Sequence, residues 1–346
     1  MTTQTYGLSA GRINTILGET LAHAIPVEVL SITGDNFNMD KRKGDTVIFR
    51  RWLPRGATTT NSTAINTITA DPTSFQTAEG VTPDADTIAP QDISVQLQQY
   101  SVLYMYTDKT AMLYEDDIPM EMKTQTGETM GLVREMIRYG ALKGCTNVFY
   151  AGGTTRATTD EAIGLPILRR VAKSIAGNRG KRITRVLAST ADFNTASVEA
   201  GYVVFVHTDA APDIRDLPGF IPVASYGPHK SPLHEQELGS CEEFRFIVSP
   251  ELAPITNTGA TAAGTGLVTS SSLVDIYPFI VVAQNAWGDV ALRGMRSFNL
   301  RVIPHTTIDK SDPLGQRGYV GATFWSAMFV QNDGWMAKIE AGVTDV

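Results

Sequence analysis

Residues 41–52 read KRKGDTVIFRRW and residues 93–108 read ISVQLQQYSVLYMYTD. Both are strand-like: Val47 and Phe49 alternate with polar or charged positions in the first, and the second is rich in β-branched and aromatic residues. The basic ends of the first run suggest an exposed edge. Between the runs, from Gly56 to Tyr100, the chain is dominated by Thr, Ala, Asp, Gln and Pro, with few large side chains before Ile93. Such a segment cannot build a core of its own. The economical reading is a long two-stranded excursion, and the alternative is a long loop without structure. Because an isolated two-stranded ribbon is marginal in water, this one is expected to need another subunit to hold it.

Working outward, PMEMKTQTGETMGLVREMIRYGALKGCTNVF (residues 119–149) is the longest helix candidate, and it opens with Pro119 after acidic Glu115, Asp116 and Asp117. Thr126, Met130, Val133, Ile137, Ala141, Gly144 and Val148 recur at spacings of three and four, while Arg134, Glu135, Arg138 and Lys143 lie largely off that stripe. Core packing accounts for the stripe without a ligand. On the other side, Met1 to about Asp40 is sparse in large apolar residues, which predicts either an arm ordered by a neighbour or a helix near Ile13 to Ala24. Beyond Leu165 short elements alternate: a helix candidate PILRRVAKSIAG, strands YVVFVH (Tyr202 to His207) and FRFIVS (Phe244 to Ser249), and an apolar run VDIYPFIVVA (Val274 to Ala283). These indicate an α+β class. The Gly/Ser/Thr-rich residues 256–272 are expected to form an exposed loop. Residues 318–342 carry two alternating runs around Asn332-Asp333-Gly334, which predicts a hairpin.

With 346 residues the chain can bury a large core, divided into two or three domains or one domain with big excursions. Only 19% of residues are charged, against about 25% in an average soluble protein, as extensive permanent contacts between subunits would require. A net charge of -7 argues against a sequence-specific reader of nucleic acid. Cys145 and Cys241 are too few and too far apart for a disulfide framework or a structural zinc site, and read as reduced cysteines. The opening MTTQTYGLSAGRINTILGETLAHA lacks the pattern of a secretory signal, and no run approaches the roughly 20 apolar residues of a membrane span. Folding in the cytoplasm is the expectation.

No catalytic, cofactor-binding or metal site is read from the sequence. Gly180-Lys181 lacks the glycine and hydroxyl positions of a phosphate loop, and His234-Glu235 lacks the second histidine of a zincin helix. There is no Gly-x-Ser-x-Gly elbow, and neither cysteine has a histidine near in sequence. Charge is more informative. Between Gly56 and Asp108 there is no Lys or Arg, while Asp71, Glu79, Asp84, Asp86 and Asp92 are acidic. Arg169, Arg170, Lys173, Arg179, Lys181, Arg182 and Arg185 cluster in a stretch with no acidic residue before Asp192. These two sets are candidate inter-subunit contacts, the acidic arm of one subunit lying on the basic surface of another. A solvated basic face, or one turned toward packaged nucleic acid, are the other readings.

The closing DPLGQRGYVGATFWSAMFVQNDGWMAKIEAG, from Asp312, resembles the C-terminal signature of the major capsid proteins of N4-like tailed phages. YVVFVHTDAAPDIRDLPGFIPVASYG, from Tyr202 to Gly227, is similar to that family's central segment, and LGSCEEFRFIVSPE to the piece that follows. The resemblance extends over essentially the whole chain. It implies the Hong Kong 97-type capsid fold: an N-terminal arm (1–40), an extended β-hairpin loop (41–108), a peripheral domain with a long spine helix (109–164), an axial domain (165–303) and a return to the peripheral domain (304–346). It further implies a structural, non-enzymatic subunit that forms hexamers and pentamers of an icosahedral shell around double-stranded DNA, assembled in the host cytoplasm and carried in the virion. The partners implied are the chain itself, a portal, a decoration or cement protein and DNA bound without sequence preference. No membrane and no cofactor are implied. A separate scaffolding protein is expected, because the chain before Lys41 has no room for a large scaffolding domain. The loop from Gly56 onward has no lysine, so the Lys-Asn isopeptide weld of some relatives of this fold is not expected. The rival readings are an encapsulin-like cargo compartment and, from a different class, a cytosolic hydrolase using His207 or His234.

Overall fold

The structure is a computed structural model that describes residues 25–53, 57–58, 67–68, 72–80, 82, 87–114, 117–184, 200–227, 231–262, 264–295, 298–308 and 310–346. The proposed helix near 13–24, with Asp71, Asp84, Asp86 and Arg185, lies outside the described residues.

The chain begins with β1 (Asp35–Met39), β2 (Thr46–Trp52), β3 (Ala57–Thr58) and β4 (Thr67–Ile68), then β5 (Pro90–Gln96), β6 (Gln98–Thr107) and α1 (Asp108–Leu113). The long helix α2 (Ile118–Lys143) follows, then β7 (Val148–Tyr150) and α3 (Leu165–Gly177). The remainder is β8 (Tyr202–Val206), α4 (Ala211–Arg215), β9 (Ile221–Pro222), β10 (Glu237–Cys241), β11 (Phe244–Val248), β12 (Tyr277–Val282), β13 (Trp287–Leu292), β14 (Asn299–Ile303), β15 (Arg317–Val330) and β16 (Met336–Ala341).

Seven strands form one sheet in the order β7-β16-β12-β8-β11-β10-β9. Its central strands are buried on both faces, which is why they read as continuous apolar runs rather than alternating ones. Val204 and Val206 of β8 join Phe279, Val281, Phe244 and Phe246 on the face covered by α3 and α4. Val203 and Phe205 of the same strand turn the other way, toward Ile280, Ile247, Leu142 and Trp287. α3, the helix candidate of the sequence, is amphipathic and buries Ile167, Leu168, Val171 and Ile175.

A second sheet is built on β15, with β6 along one side, β13 and β14 along the other, and β1 parallel to β13. Helix α2 crosses this sheet and buries Met130 against Ala322 and Phe324. It starts where the acidic residues and Pro119 place it: Asp117 caps it by accepting from the Met120 backbone N–H at 3.2 Å. It ends at Lys143, and Val148 belongs to β7 rather than to the helical stripe.

Four expectations are corrected. The run from Ile93 to Asp108 is two strands, because the backbone N–H of buried Leu97 donates to Asp45 O at 2.8 Å and the chain there leaves one sheet for another. Asn332-Asp333-Gly334 is not a hairpin turn: β15 and β16 lie in different sheets, joined by a 3-10 corner at Asp333–Trp335 with no positive φ. The Asp333 carboxylate is turned inward instead, where it accepts hydrogen bonds from the Thr146 backbone N–H and hydroxyl. Glu135 and Arg138, placed off the helix stripe by their charge, are 0% and 5% exposed. Residues 256–272 are a loop, but a pinned one, with Gly259 N donating to Val274 O, Ala260 N to Thr159 O and Val268 N to Val343 O.

Of the stretch read as an N-terminal arm, Val29 and Leu30 are fully buried against Tyr139 and Leu142 of α2, and β1 extends the second sheet.

Candidate assembly surfaces

β2 and β5 pair antiparallel from Thr46↔Gln96 to Trp52↔Pro90, so the two runs that bracket the excursion do meet as a ribbon. Side chains alternate across it. On the inner face, Val47, Phe49, Ile93 and Val95 pack with Phe37, Val290 and Phe329 of the second sheet. The Arg51 guanidinium anchors this root, donating from Nε to Gln91 Oε1 and from Nη1 to Gln331 O, at 2.8 and 2.9 Å. Gly288 leaves room for the root, since a Cβ there would stand 2.7 Å from the Phe37 ring. On the outer face, Ile48 and Trp52 are 63% and 60% exposed, and Arg50 grips Asp92 through two hydrogen bonds of 2.7 and 2.8 Å. The pair holds the Asp92 carboxyl below its ordinary value. Beyond the root, Phe75, Glu79 and Ile88 are exposed. Exposed apolar side chains of this kind are features of interaction surfaces.

The basic candidates lie on and after α3. Arg169 Nη2 donates to Glu242 Oε1 at 2.5 Å, and Arg182 hydrogen-bonds Glu243. Arg170 sits 5.7 Å from the centre of the Phe149 ring, and with Lys173 it borders a shallow hollow closed by Gly177 and Asn178. Arg179 adopts a left-handed φ of 60° at the end of α3. Lys181 contributes its carbonyl, which accepts from Gln284 N at 2.9 Å. The cluster is therefore partly neutralised inside the subunit by two carboxylates of the β10–β11 turn, more than 50 residues away in sequence, which the local charge pattern could not show. Asp92 is paired with Arg50, and Glu79 is exposed.

One constellation was missed by sequence reading. Glu135 Oε1 accepts the backbone N–H of both Val29 and Leu30 at 2.8 Å. Arg138 reaches Glu28, Glu135 and Asp289 at 3.3 to 3.4 Å, and Arg134 reaches Glu28 at 3.0 Å. Asp289 also accepts from Ser326 Oγ at 3.1 Å. Burial pushes the Glu135 carboxyl above its ordinary value, against the two backbone donors and Arg138, which pull it down. These groups tie residues 28–30, α2 and the second sheet together. The only sequence signal was Arg134 and Arg138 at i, i+4 on either side of Glu135.

The residues proposed for a hydrolase have structural tasks. His207 Nδ1 accepts from Asp209 N at 3.2 Å and His234 Nδ1 from Gln236 N at 3.1 Å, each stabilising a local turn. Cys145 and Cys241 are both free thiols and buried, and burial pushes the Cys145 thiol up to about 12. Among the described residues, no three His, Cys, Asp or Glu side chains gather as a metal site would need. No described helix is long and apolar enough to cross a membrane.

The described chain thus combines an α+β body, a long helix across one sheet and a two-stranded ribbon packed on it, an arrangement shared with phage capsid subunits among the solved structures. No family model matches the chain. It is similar over 267 residues, at 20% identity, to the major capsid protein of Pseudomonas phage KPP21, an alignment covering 71% of this chain and 66% of that relative. Among solved structures, the capsid of the cyanophage P-SCSP1u superposes with a TM-score of 0.59 at 12% identity, over 98% of this chain and 96% of that one. The head of Helicobacter pylori bacteriophage KHP40 gives 0.62 at 11%, covering 96% of each chain. The capsid of Ralstonia phage GP4 gives 0.60 at 12%, covering 99% of each.

Proposed function

We propose that the chain is the major capsid protein of a tailed phage, a structural subunit that assembles with copies of itself into an icosahedral shell and resides in the virion. The observation that carries this reading is the correspondence of fold over nearly the whole chain, including the ribbon, with capsid subunits. A partial match of the body alone would fit many functions. The exposed outer face of the ribbon supports the same reading, because a neighbouring subunit supplies the cover that the isolated chain lacks.

In finer detail, the ribbon β2–β5 with the residues between its strands is the extended loop of a Hong Kong 97-type subunit, as in the N4-like phages, and α2 is its spine helix. The seven-stranded sheet is the core of the axial domain. On this mapping β7 and β16 cross into the axial sheet from segments that the sequence assigned to the periphery. Subunits form hexamers and pentamers around double-stranded DNA, which is contained rather than read. Scaffolding, portal and cement proteins complete the assembly. Asp92 and the other acidic residues of the excursion lie toward the basic surface of a neighbour that carries Arg170, Lys173 and Lys181.

Negative-stain microscopy of the purified chain, with scaffolding protein supplied, tests the reading. Closed particles or capsomer rings are expected, and raising the salt concentration should reduce their yield if charge sets the register of the contact. A chain that stays monomeric with its scaffold present overturns it.

A further inference from the structure

At the root of the ribbon a crevice of about 370 Å³ opens between β2, β5 and the corner that follows β15. Its walls are rings: Phe49 and Phe329 stack at 4.6 Å between centroids, Phe37 lies 5.0 Å from Phe49, and Trp335 closes the far side. A volume of this size takes one bulky side chain or a small ligand. Two polar groups border it. Arg51 supplies a positive charge drawn partly out of water. Asn332 is 1% exposed; its Oδ1 accepts from Gly334 N at 3.1 Å, but its Nδ2 has no hydrogen-bond partner. A buried carboxamide N–H without an acceptor is uncommon, and because Asn332 lines the crevice a group seated there can supply one. The crevice therefore asks for an aromatic ring, a hydrogen-bond acceptor beside it and a negative charge nearby.

The excursion between the ribbon strands has these three features close together. Phe75 is the only aromatic residue from 57 to 92, the same stretch has no Lys or Arg, and Glu79 stands four positions further on. Phe75 ends a 3-10 turn at Pro72–Phe75 and is 51% exposed. Resting on the capsid reading, we propose that Phe75 of one copy inserts into the ribbon-root crevice of a second copy, where a main-chain carbonyl beside it accepts from Asn332 and Glu79 approaches Arg51. The contact is heterologous: each copy offers its ring to one neighbour and its crevice to another, the type of interface that builds rings when its rotation closes. It fixes the root of the receiving ribbon against its own body, so that seating one ribbon braces the next.

The full-length chain carrying p-benzoylphenylalanine in place of Phe75 tests this, with equal amounts of ¹⁴N and ¹⁵N protein assembled together and irradiated. Cross-links from position 75 to the segments around Phe49 or residues 329–335, joining chains of different isotope, are expected. Cross-links confined to a single chain, or made to other surfaces of the neighbour, overturn the inference. Phe75→Ala gives a second reading: the unassembled chain should melt as the unmodified one does, while its shells dissociate at lower denaturant. Equal shell stability overturns the inference. Failure of the unmodified chain to close shells overturns the capsid reading and the inference with it, whereas closed shells with cross-links elsewhere overturn the inference alone.

Discussion

The seven-stranded sheet and the ribbon are made of similar strands and live by different rules. In the sheet, β8, β11, β12 and β16 are buried along their whole length, and even the charged side chains are answered locally: Glu340 is held by Arg156 and Lys338, and Glu237 by Arg245. In the ribbon, alternate side chains of β2 face solvent, and the sequence between β2 and β5 carries few large side chains. The first region is complete in one subunit. The second packs one face on the body and leaves the other exposed, as the proposed contact with a neighbouring subunit requires.

That contrast can be broken or sharpened. The largest effect is expected in the sheet: Phe246→Ala empties a site with no exposure, and should lower unfolding stability by about 3–5 kcal/mol in chemical denaturation of the unassembled chain. Arg138→Met, which strands Glu135 and Asp289 without their cation, should cost about 3–5 kcal/mol in the same measurement. A loss as small as that of a surface change would mean the cluster does not lock residues 28–30 to α2.

The acid side of the stability curve is expected to depend on Glu340. Burial raises its carboxyl, but the hydrogen bonds and charges of Arg156 and Lys338 outweigh this and leave it below its ordinary 4.5. A depressed folded-state value contributes stability above the unfolded value and loses it as pH falls through the folded one. Glu340→Gln should therefore flatten the loss of melting temperature below about pH 4.5. An unchanged acid limb would assign that loss to other carboxylates. The smallest effect is expected in the ribbon: Arg50→Ala should leave the denaturation midpoint of the free chain unmoved, because its pair with Asp92 is exposed. A clear drop would show that the ribbon is part of the subunit's own folding unit.

Much of the body was legible because burial on both faces forces an unmistakable pattern. The apolar runs at 202–207, 244–249 and 274–283 became β8, β11 and β12 with ends shifted by at most three residues, and the amphipathic spacing of α3 is equally plain. The ribbon was legible for the opposite reason, since a long stretch without large side chains cannot be core. What escaped was set by distant partners. Asp333-Gly334 has the local chemistry of a turn, but the Asp333 carboxylate is claimed by Thr146, and the strands on either side belong to different sheets. Glu135 and Arg138 look like solvent-facing charges until Glu28 and Asp289 arrive from elsewhere in the chain. Among the candidate contacts, the partial neutralisation of Arg169 and Arg182 depends on Glu242 and Glu243 in the same way.

One feature of the corner at Asp333–Trp335 reaches beyond the subunit. β15 runs fourteen residues, roughly 48 Å at the usual strand rise, and passes through the corner directly into the other sheet. In a closed shell, a load that pulled the two sheets apart would be borne, as by tie-rods in masonry, by backbone at this corner and again between β12 and β13, together with the side-chain packing between the sheets.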